Sequence, residues 1–237
     1  MALTDPIAQG VYDYHFKRID SPVIIHCDEF EPDEVLPSYF FRNIDKMPGL
    51  ERQALQLAKG KILDVGACAG CHSFYLQNKG NEVYALEQAE LSCRVLADRG
   101  IRQVIREDFF HYQGEQFDTI LLLMNGTGIA GTLDRLNYFF NQLKLLLAPG
   151  GQILIDSSDL IYLYLEEDGT ARLDLNADRY YGELTYQTEY NGQKGAAFPW
   201  LYTDPETLSE TARQNNLQVE KIIHGEHFDY LSVIKHI

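Results

Sequence analysis

The sequence predicts an α/β fold with a doubly wound sheet that is mostly parallel and has an antiparallel C-terminal strand. Short apolar runs alternate with stretches of helical periodicity between residues 61 and 155, as they do in βαβ units. Phe117 to Met124 is apolar almost throughout, which is typical of a central strand covered on both faces. The last two predicted strands are joined by only a few residues, so they must pair antiparallel.

The parallel part of the sheet begins at Lys61 to Val65 (KILDV), a short apolar run that stops at Gly66. From Leu133 to Leu147, leucine and phenylalanine recur at the three- and four-residue spacing of an amphipathic helix. Glycines or Pro149-Gly150-Gly151 end the predicted helices. The full series is a strand at 61–65, a helix at 71–78, a strand at 82–86, a helix at 90–99, strands at 103–106 and 117–124, a helix at 133–147 and a strand at 152–155.

After residue 178 the pattern becomes alternating. Tyr180 to Tyr190 is rich in Tyr and Thr and precedes Asn191-Gly192, which predicts a β-hairpin with a second strand near Ala196 to Trp200. Thr203-Asp204-Pro205-Glu206 predicts a helix start with proline in the first turn and Glu206 placed for a capping box. Strands are predicted at 217–224 and 228–236.

Residues 1–60 differ from the rest of the chain and are interpreted as an N-terminal cap segment. They contain the acidic stretch Cys27 to Pro37, then Ser38 to Arg42 (SYFFR), then a helix from about Pro48 to Lys59. We expect this segment to lie over the carboxyl ends of the strands. The remainder, 61–237, is predicted to be one domain with a hairpin insertion at about 178–202.

Composition and charge limit the classes of partner. The 237-residue chain has a formal net charge of −15, with 35 Asp and Glu against 20 Lys and Arg. Nucleic-acid binders usually present a basic face, so neither nucleic acid nor an anionic membrane is expected as a partner. No apolar run approaches the roughly 18 residues of a membrane span, and the first residues do not resemble a secretory signal, which predicts a cytoplasmic protein.

Cys68 to His72 reads C-x-x-C-H, a string also found in haem attachment sites, redox pairs and zinc sites. Haem attachment needs export, and zinc needs a second pair of soft ligands, which the single, distant Cys93 and His111 do not make. A redox pair remains open by position, although a buried strand and a glycine turn precede it. We favour a loop shaped by glycine and small residues, and predict no metal site.

Small and polar residues follow the predicted strands, at the edge where open α/β sheets bind ligands. Gly66, Ala67 and Gly70 allow a ligand to approach the backbone closely, and the next helix offers free N–H groups to an anion. Glu87 ends the second strand, where an acidic side chain can accept both hydroxyl hydrogens of a ribose.

The third strand leads into Asp108, which can accept from an adenine amino group, and Phe109, which can flank the ring. With the glycine loop and Glu87, these residues predict an adenosine site. The dinucleotide fingerprint G-x-G-x-x-G fits poorly, because Cys68 holds the second glycine position and the last glycine is missing.

These motifs resemble those of class I S-adenosylmethionine-dependent methyltransferases. Ile62 to Gly70 is similar to their first motif, hhDhGxGxG, with Cys68 at the middle glycine. Phe117 to Ile120 resembles the F-D-x-h start of their fourth strand. Leu146 to Gly151 resembles the L-x-P-G-G lead into the fifth strand, which is the most discriminating part. The resemblance is good over about 60–156.

The resemblance implies a Rossmann-like sheet of the seven-stranded methyltransferase type and S-adenosylmethionine as cofactor. It also implies a set of cofactor-binding residues drawn from the first motif, the strand ends and the cap. They are Asp64, Gly66, Ala67, Cys68, Gly70, Glu87, Gln88, Asp108, Phe109, Asn125, Tyr39 and Arg42.

Methyl transfer from a sulfonium is an in-line displacement, which needs alignment and a base only when the nucleophile arrives protonated. The predicted catalytic residues are Asn125, at the end of the fourth strand, and His72, in a helix's first turn. Asp156 and His26 are further candidates. Asn125 also suits a left-handed turn, and His72 also suits a packed position.

The acceptor is predicted to be a small molecule with an N or O nucleophile. The N-G-T-G context of Asn125 differs from the N-P-P-Y of enzymes that methylate nucleic-acid amino groups, in agreement with the acidic charge. The hairpin tyrosines and Trp200 either line the acceptor pocket or pack the hairpin. Two alternative functions stay open: a non-catalytic cofactor-binding module on the same fold, and an NAD-linked oxidoreductase.

Overall fold

The structure is a computed structural model that describes residues 5–166, 168, 170–172 and 179–237. Strands and helices alternate through the middle of the chain, as the sequence predicts. In chain order the elements are α1 (Pro6–Lys17), β1 (Val23–Cys27), β2 (Asp33–Val35), α2 (Gly49–Leu57), β3 (Lys61–Val65), α3 (Cys71–Asn78), β4 (Glu82–Glu87), α4 (Glu90–Asp98), β5 (Gln103–Arg106), β6 (Phe117–Leu122), α5 (Leu136–Leu146), β7 (Leu147–Ser158), β8 (Glu183–Tyr190), β9 (Gln193–Leu201), α6 (Pro205–Gln214), β10 (Leu217–His224) and β11 (Asp229–His236).

The main sheet contains seven strands in the order β10-β11-β7-β6-β3-β4-β5. The pairs from β7 to β5 are parallel, and β11 lies antiparallel between β7 and β10. The predicted fold class is therefore confirmed. Because the chain runs outward from β3 to β5 and then returns to β6, the strand order reverses between β3 and β6. Ligands of open α/β sheets bind in the crevice at such a point.

Apolar side chains cover both faces of this sheet. On one face Phe139 and Phe140 of α5 pack on Ile120 and Ile153, and all four are fully buried. On the other face α2 and α3 cover the sheet through residues such as Leu76. Each such side chain contributes about 1.5–3 kcal/mol when buried, so the central strands are held rigidly beneath the crevice.

A second sheet joins the N-terminal segment to the hairpin. Its order is β2-β1-β8-β9, and all its pairs are antiparallel. Asn191 and Gly192 have φ values of 50° and 75°, the left-handed backbone of a tight hairpin turn, which confirms the hairpin prediction. The pairing of β1 with β8, in which Val23 lies opposite Tyr190, was not predicted.

Several predicted boundaries differ from the structure by a few residues, and three of these differences have a clear structural cause. The strand predicted at 117–124 ends at Leu122, because Met124 and Asn125 turn into left-handed backbone. The helix predicted at 133–147 begins with a separate 3₁₀ turn, Leu133–Arg135, and the chain then forms α5. The next strand begins at Leu147, since the Pro-Gly-Gly segment is part of an irregular β7.

The capping box predicted before α6 was wrong. Asp204 is the N-cap, and its carboxylate accepts the backbone N–H groups of Glu206 (2.9 Å) and Thr207 (2.8 Å). Thr207 therefore occupies the third helical position that the prediction gave to Glu206. A carboxylate cap satisfies two of the helix's free donors by itself.

The hairpin rests on the segment that follows β6. Trp200 of β9 lies directly on Gly128 within the 3₁₀ turn Gly126–Ala130, and a methyl group on Gly128 would overlap the indole ring. Thr127 donates to the carbonyl oxygen of Leu201 at 3.0 Å. The small sheet is thereby fixed over the carboxyl end of β6.

Replacing Gly128 with alanine should force Trp200 away and lower the free energy of unfolding by about 1–3 kcal/mol, as overpacking does elsewhere. Urea unfolding would measure this change. Gly49→Ala is the matched control, because a methyl group there has no neighbour within 4 Å among the described residues. Equal stability of the two variants would contradict the proposed packing.

Candidate active site at the crevice

The loop between β3 and α3 is built from left-handed backbone. Gly66 (φ 71°), Cys68 (φ 51°) and Gly70 (φ 78°) all lie in the region that favours glycine. A side chain on Gly70 would lie 2.5 Å from Leu96, whereas one on Gly66 would meet only Ile129, at 3.9 Å. Gly66 therefore leaves open space beside the backbone, as a ligand cradle requires. Cys68 stands at a backbone position suited to glycine.

Glu87 holds this loop against the end of β4. Its carboxylate accepts the backbone N–H groups of Cys68 and Ala89, both at 2.8 Å. Burial raises the pKa of Glu87, although these hydrogen bonds oppose the shift. Each carboxylate oxygen keeps a second lone pair, which a ribose hydroxyl can use. Gln88, the next residue, is exposed at the same edge.

Two further loop residues have mainly local partners. Asp64 is 2% exposed and accepts the hydroxyl of Ser73 at 2.6 Å, which ties the end of β3 to α3. Burial raises the pKa of Asp64. Ala67 is buried and packs with Leu96 of α4. These contacts determine the shape of the loop.

The cysteines of the loop do not have the environment of a redox pair. Burial and the nearby Glu87 carboxylate raise the pKa of Cys68 well above its usual value, whereas redox chemistry needs the thiolate. Cys68 packs beside Val11 of α1, which lies over the loop. Cys68, Cys71 and Cys93 are free thiols in the structure. This environment supports the interpretation of the C-x-x-C-H segment, Cys68 to His72, as part of a ligand-binding loop.

A buried ionic network lies beside the first turn of α3. Arg42 donates through Nη2 to both oxygens of Glu51, at 2.7 and 2.6 Å, and His72 Nε2 donates to Glu51 Oε2 at 2.7 Å. The three residues are 6%, 4% and 7% exposed. Burial opposes the ionised form of Glu51, but the bonds from His72 and Arg42 outweigh it and lower the pKa.

The network revises the role predicted for His72. Burial disfavours its charged form, yet the interactions with Cys71 and Glu51 raise the pKa of His72 well above its usual value. A protonated, hydrogen-bonded imidazolium cannot accept a proton. The geometry therefore does not support His72 as a base, and makes it a partner that positions Glu51.

Sequence reasoning missed Glu51. The signal was an acid on the apolar face of α2, where Leu50, Ala54 and Leu55 are buried. Such a residue needs a buried partner.

Arg42 keeps one donor without a partner. Its Nη1 donates to the carbonyl oxygen of Tyr39 at 3.0 Å, and its guanidinium lies 4.1 Å from the centre of the Tyr39 ring. Among the described residues, nothing accepts a hydrogen bond from its buried Nε. Arg42, Glu51 and His72 together carry one net positive charge. A buried cation with a free donor is suited to a carboxylate ligand.

The ends of β6 and β7 meet at Asp156 and Asn125. Asp156 accepts the backbone N–H groups of Met124 and Gly126, both at 3.0 Å, and Ser158 donates to Asn125 Oδ1 at 3.2 Å. Burial raises the pKa of Asp156 to about 6. Asn125 has φ 61°, so its backbone has the left-handed turn conformation that the sequence allowed.

The two residues that the sequence predicts to contact an adenine have different environments. Asp108 lies after β5 and accepts the N–H of Phe110 at 2.7 Å. The Phe109 ring is 6% exposed and packs in the core, with its centre 5.5 Å from that of Phe139. The expectation that this ring flanks an adenine therefore needs correction, because the ring is almost fully buried in the core beside α5.

The tyrosines in and next to the hairpin divide into two groups. Tyr186 of β8 and Tyr202, which follows β9, form a hydroxyl–hydroxyl hydrogen bond of 2.9 Å. Burial raises the pKa of Tyr202, and the charge of Asp156 adds a smaller effect in the same direction. The other group binds carboxylates within the fold: Tyr180 donates to Asp204, Tyr181 to Asp159 and Tyr190 to Asp13.

His26 is separated from the Tyr186–Tyr202 pair. Its cross-strand neighbour is Gln187, so it lies on the face of the small sheet opposite Tyr186 and Cys27. There it pairs with Glu189 at 3.0 Å.

A solved structure resembles this one over nearly its whole length. An S-adenosylmethionine-dependent methyltransferase from Bacteroides fragilis, in complex with S-adenosyl-L-homocysteine, shares 39% identity and a TM-score of 0.90, and the match covers 99% of this chain and 98% of that chain. This chain belongs to the S-adenosylmethionine-dependent methyltransferases.

More distant methyltransferases share the fold. CcbJ from Streptomyces caelestis is 17% identical, with a TM-score of 0.63 and coverage of 81% of this chain and 98% of that chain. A methyltransferase from Clostridium acetobutylicum is 13% identical, with a TM-score of 0.55 and coverage of 77% and 86%. No protein-family model and no curated protein matches the sequence.

The methyltransferase is therefore an enzyme with S-adenosylmethionine as its cofactor, and the resemblance in its motifs is confirmed. This finding sets aside the NAD-linked and non-catalytic alternatives. Within the described residues, none of the helices is both long enough and apolar enough to span a bilayer.

Cys68→Gly should retain or tighten binding of S-adenosylhomocysteine, because glycine adopts the φ of 51° without strain. Cys68→Val should weaken binding about tenfold, since a β-branched side chain is strained there. Cys68→Ala, which removes only the sulfur, is the control and should bind like the wild type. Titration calorimetry would measure all three, and loss of binding in Cys68→Gly would show that the thiol is required.

Proposed function

We propose that this methyltransferase acts on a small molecule with an N or O nucleophile, by in-line displacement. One observation carries the proposal. The small sheet joins β1 of the N-terminal segment to β8 of the hairpin, and its strand β9 rests on the turn that follows β6, where Trp200 lies on Gly128 and Thr127 donates to Leu201. A layer of chain at this position supports a small acceptor, which can be held apart from bulk water.

The crevice fits the cofactor at both of its ends. Glu87 would accept from the ribose hydroxyls, and the open backbone at Gly66 would lie along the cofactor. Arg42 would bind the carboxylate through the free buried donor described above. The proposed cofactor residues are Asp64, Gly66, Ala67, Cys68, Gly70, Glu87, Gln88, Asp108, Asn125, Tyr39 and Arg42, with the Phe109 backbone in place of its ring.

The protein's contribution to the reaction is positioning. Once bound, the cofactor supplies an electrophilic methyl group on a sulfonium. Asn125 and Asp156 would orient the acceptor, and backbone donors hold Asp156 in place at 3.0 Å. The ionic network would keep the carboxylate-binding Arg42 still. Preorganised groups of this kind lower the barrier mainly by fixing the approach of the reactants.

The domain and partner assignments remain proposals. We assign 1–60 to a cap segment and 61–237 to the catalytic domain, with the insertion at about 178–202; residue 178 lies outside the described residues. The shared sheet of β1 and β8 supports a joint role of cap and insertion over the site. The net charge of −15 supports an acceptor other than nucleic acid or an anionic membrane, and we propose a cytoplasmic location.

Tritiated methyl transfer would test the acceptor class. We expect label from S-adenosylmethionine to appear in compounds of a small-molecule extract, and not in nucleic acid or protein offered at equal mass. Heat-denatured enzyme is the control. Label found only in the macromolecular fractions would contradict the proposal.

Two variants would test the cofactor contacts. Arg42→Lys keeps a cation for Glu51 but removes the unpartnered Nε donor. It should weaken S-adenosylhomocysteine roughly tenfold, but should not change the affinity for 5′-methylthioadenosine, which lacks the amino-acid end. Glu87→Gln should weaken both ligands, since both contain the ribose. Calorimetry would measure the four constants. An equal loss for both ligands in Arg42→Lys would contradict a contact to the carboxylate.

A further inference from the structure

Asp156 is a carboxylate without a cation. Its two oxygens each accept one backbone N–H, from Met124 and Gly126. Among the described residues, no Lys, Arg or His lies within ion-pair distance of it, whereas the buried Glu51 has both Arg42 and His72. A partly buried carboxylate in this state is stabilised by any cation that enters the crevice.

The tyrosine pair adds acceptor atoms and aromatic faces near this charge. Tyr202 lies between Leu201, whose carbonyl oxygen accepts from Thr127, and Thr203, whose N–H donates to Ser157 at 2.9 Å, and Ser157 is the residue after Asp156. Among the described residues, the hydroxyls of Tyr186 and Tyr202 have hydrogen bonds only to each other. One hydroxyl donates within the pair, so both oxygens keep lone pairs for an N–H donor. Tyrosine rings also attract cations through their faces. The pair thus complements an ammonium group that binds at Asp156.

We infer that the methyl acceptor is an alkyl amine, which enters as an ammonium ion and binds between the Asp156 carboxylate and the Tyr186–Tyr202 hydroxyl pair. This inference rests on the proposed function, because it names the acceptor class of the same site. Asp156 is thereby assigned as the group that binds the acceptor and takes its proton.

The acidity of the acceptor favours an amine over an alcohol. An alkyl ammonium ion is roughly five powers of ten more acidic than an alkyl hydroxyl group, which resembles water. A carboxylate with a pKa of about 6 can therefore assist the loss of an ammonium proton, but is far too weak to ionise an alcohol.

In the proposed reaction, proton transfer and methyl transfer are two separate steps. The ammonium nitrogen first gives one proton to the Asp156 carboxylate, which leaves a neutral amine and a carboxylic acid. The nitrogen lone pair then forms the new N–C bond while the methyl–sulfur bond breaks, and that bonding pair stays on sulfur. The products are a methylated ammonium ion and a neutral thioether, and Asp156 returns its proton to water.

The charged and titratable groups around Asp156 set the pH dependence. Glu51 raises the pKa of Asp156 and His72 lowers it, and both effects are smaller than that of burial. Burial, and to a smaller extent the charge of Asp156, raises the pKa of Tyr39 in the N-terminal segment and of Tyr202 after β9. Because the active form is the carboxylate, the rate should rise as the pH increases through about 6.

Matched acceptors would test the inference. The probes are cyclohexylamine, benzylamine and a wider set of alkyl amines, each paired with the alcohol of the same skeleton, and the readout is formation of S-adenosylhomocysteine. We expect transfer to at least one amine, at least about tenfold faster than to its alcohol.

Variants at the site would identify the residues. Asp156→Asn should lower kcat/KM for the amine at least about tenfold and remove the rise near pH 6, with S-adenosylhomocysteine affinity unchanged. The Tyr186→Phe, Tyr202→Phe double variant should raise KM. Asp159→Asn is the matched control, because that carboxylate binds Tyr181 within the fold, and it should change kcat/KM less than about twofold.

The outcomes separate this inference from the proposed function. Faster transfer to alcohols, or no transfer to any amine by an enzyme that binds S-adenosylhomocysteine, would overturn the amine assignment alone. Failure to transfer label to any small molecule would overturn the proposed function. If Asp156→Asn does not fold, the tyrosine double variant and the pH profile of the wild-type enzyme test the assignment. An unchanged KM for the amine in the double variant, together with a wild-type rate that does not rise near pH 6, would overturn it.

Discussion

The buried Glu51 carboxylate connects the parts of the site that would otherwise be independent. It accepts from Arg42, which follows the 3₁₀ turn Pro37–Phe41 of the N-terminal segment, and from His72, in the first turn of α3 next to the glycine loop. Removing one partner from such a network costs about 3–5 kcal/mol, because a charge is left buried and unpaired. The position of the N-terminal segment near Arg42 and the start of α3 therefore depend on the same interaction.

The two sheets have different structural roles. The main sheet is covered by apolar side chains on both faces, and its strand order places the ends of β3 and β6 on either side of the crevice. The small sheet contributes little to that core and instead lies over the carboxyl edge, where Trp200 rests on Gly128. A rigid layer below and an added layer above would together exclude water from the reacting atoms.

Carboxylates around the crevice are held mainly by neutral donors. Glu87 and Asp156 accept backbone N–H groups, and Asp64 accepts a serine hydroxyl. Burial raises the pKa of all three. Neutral donors fix the position of a carboxylate without cancelling its charge, so Glu87 and Asp156 remain able to bind hydroxyl hydrogens or a cation. Glu51 is the exception, and its two cations make it a structural group.

The sequence by itself determined the main sheet and the cofactor loop, because both depend on local signals. Apolar runs and helical periodicity set the strands and helices, and glycines at Gly66 and Gly70 suit left-handed backbone wherever the rest of the chain lies. Only the tertiary structure decided that β1 pairs with β8, that Glu51 lies between Arg42 and His72, and that α5 buries the Phe109 ring. Each of these depends on contacts between segments that are far apart in the sequence. Residue type alone does not determine such contacts, because an apolar or charged side chain can pack against or pair with many partners.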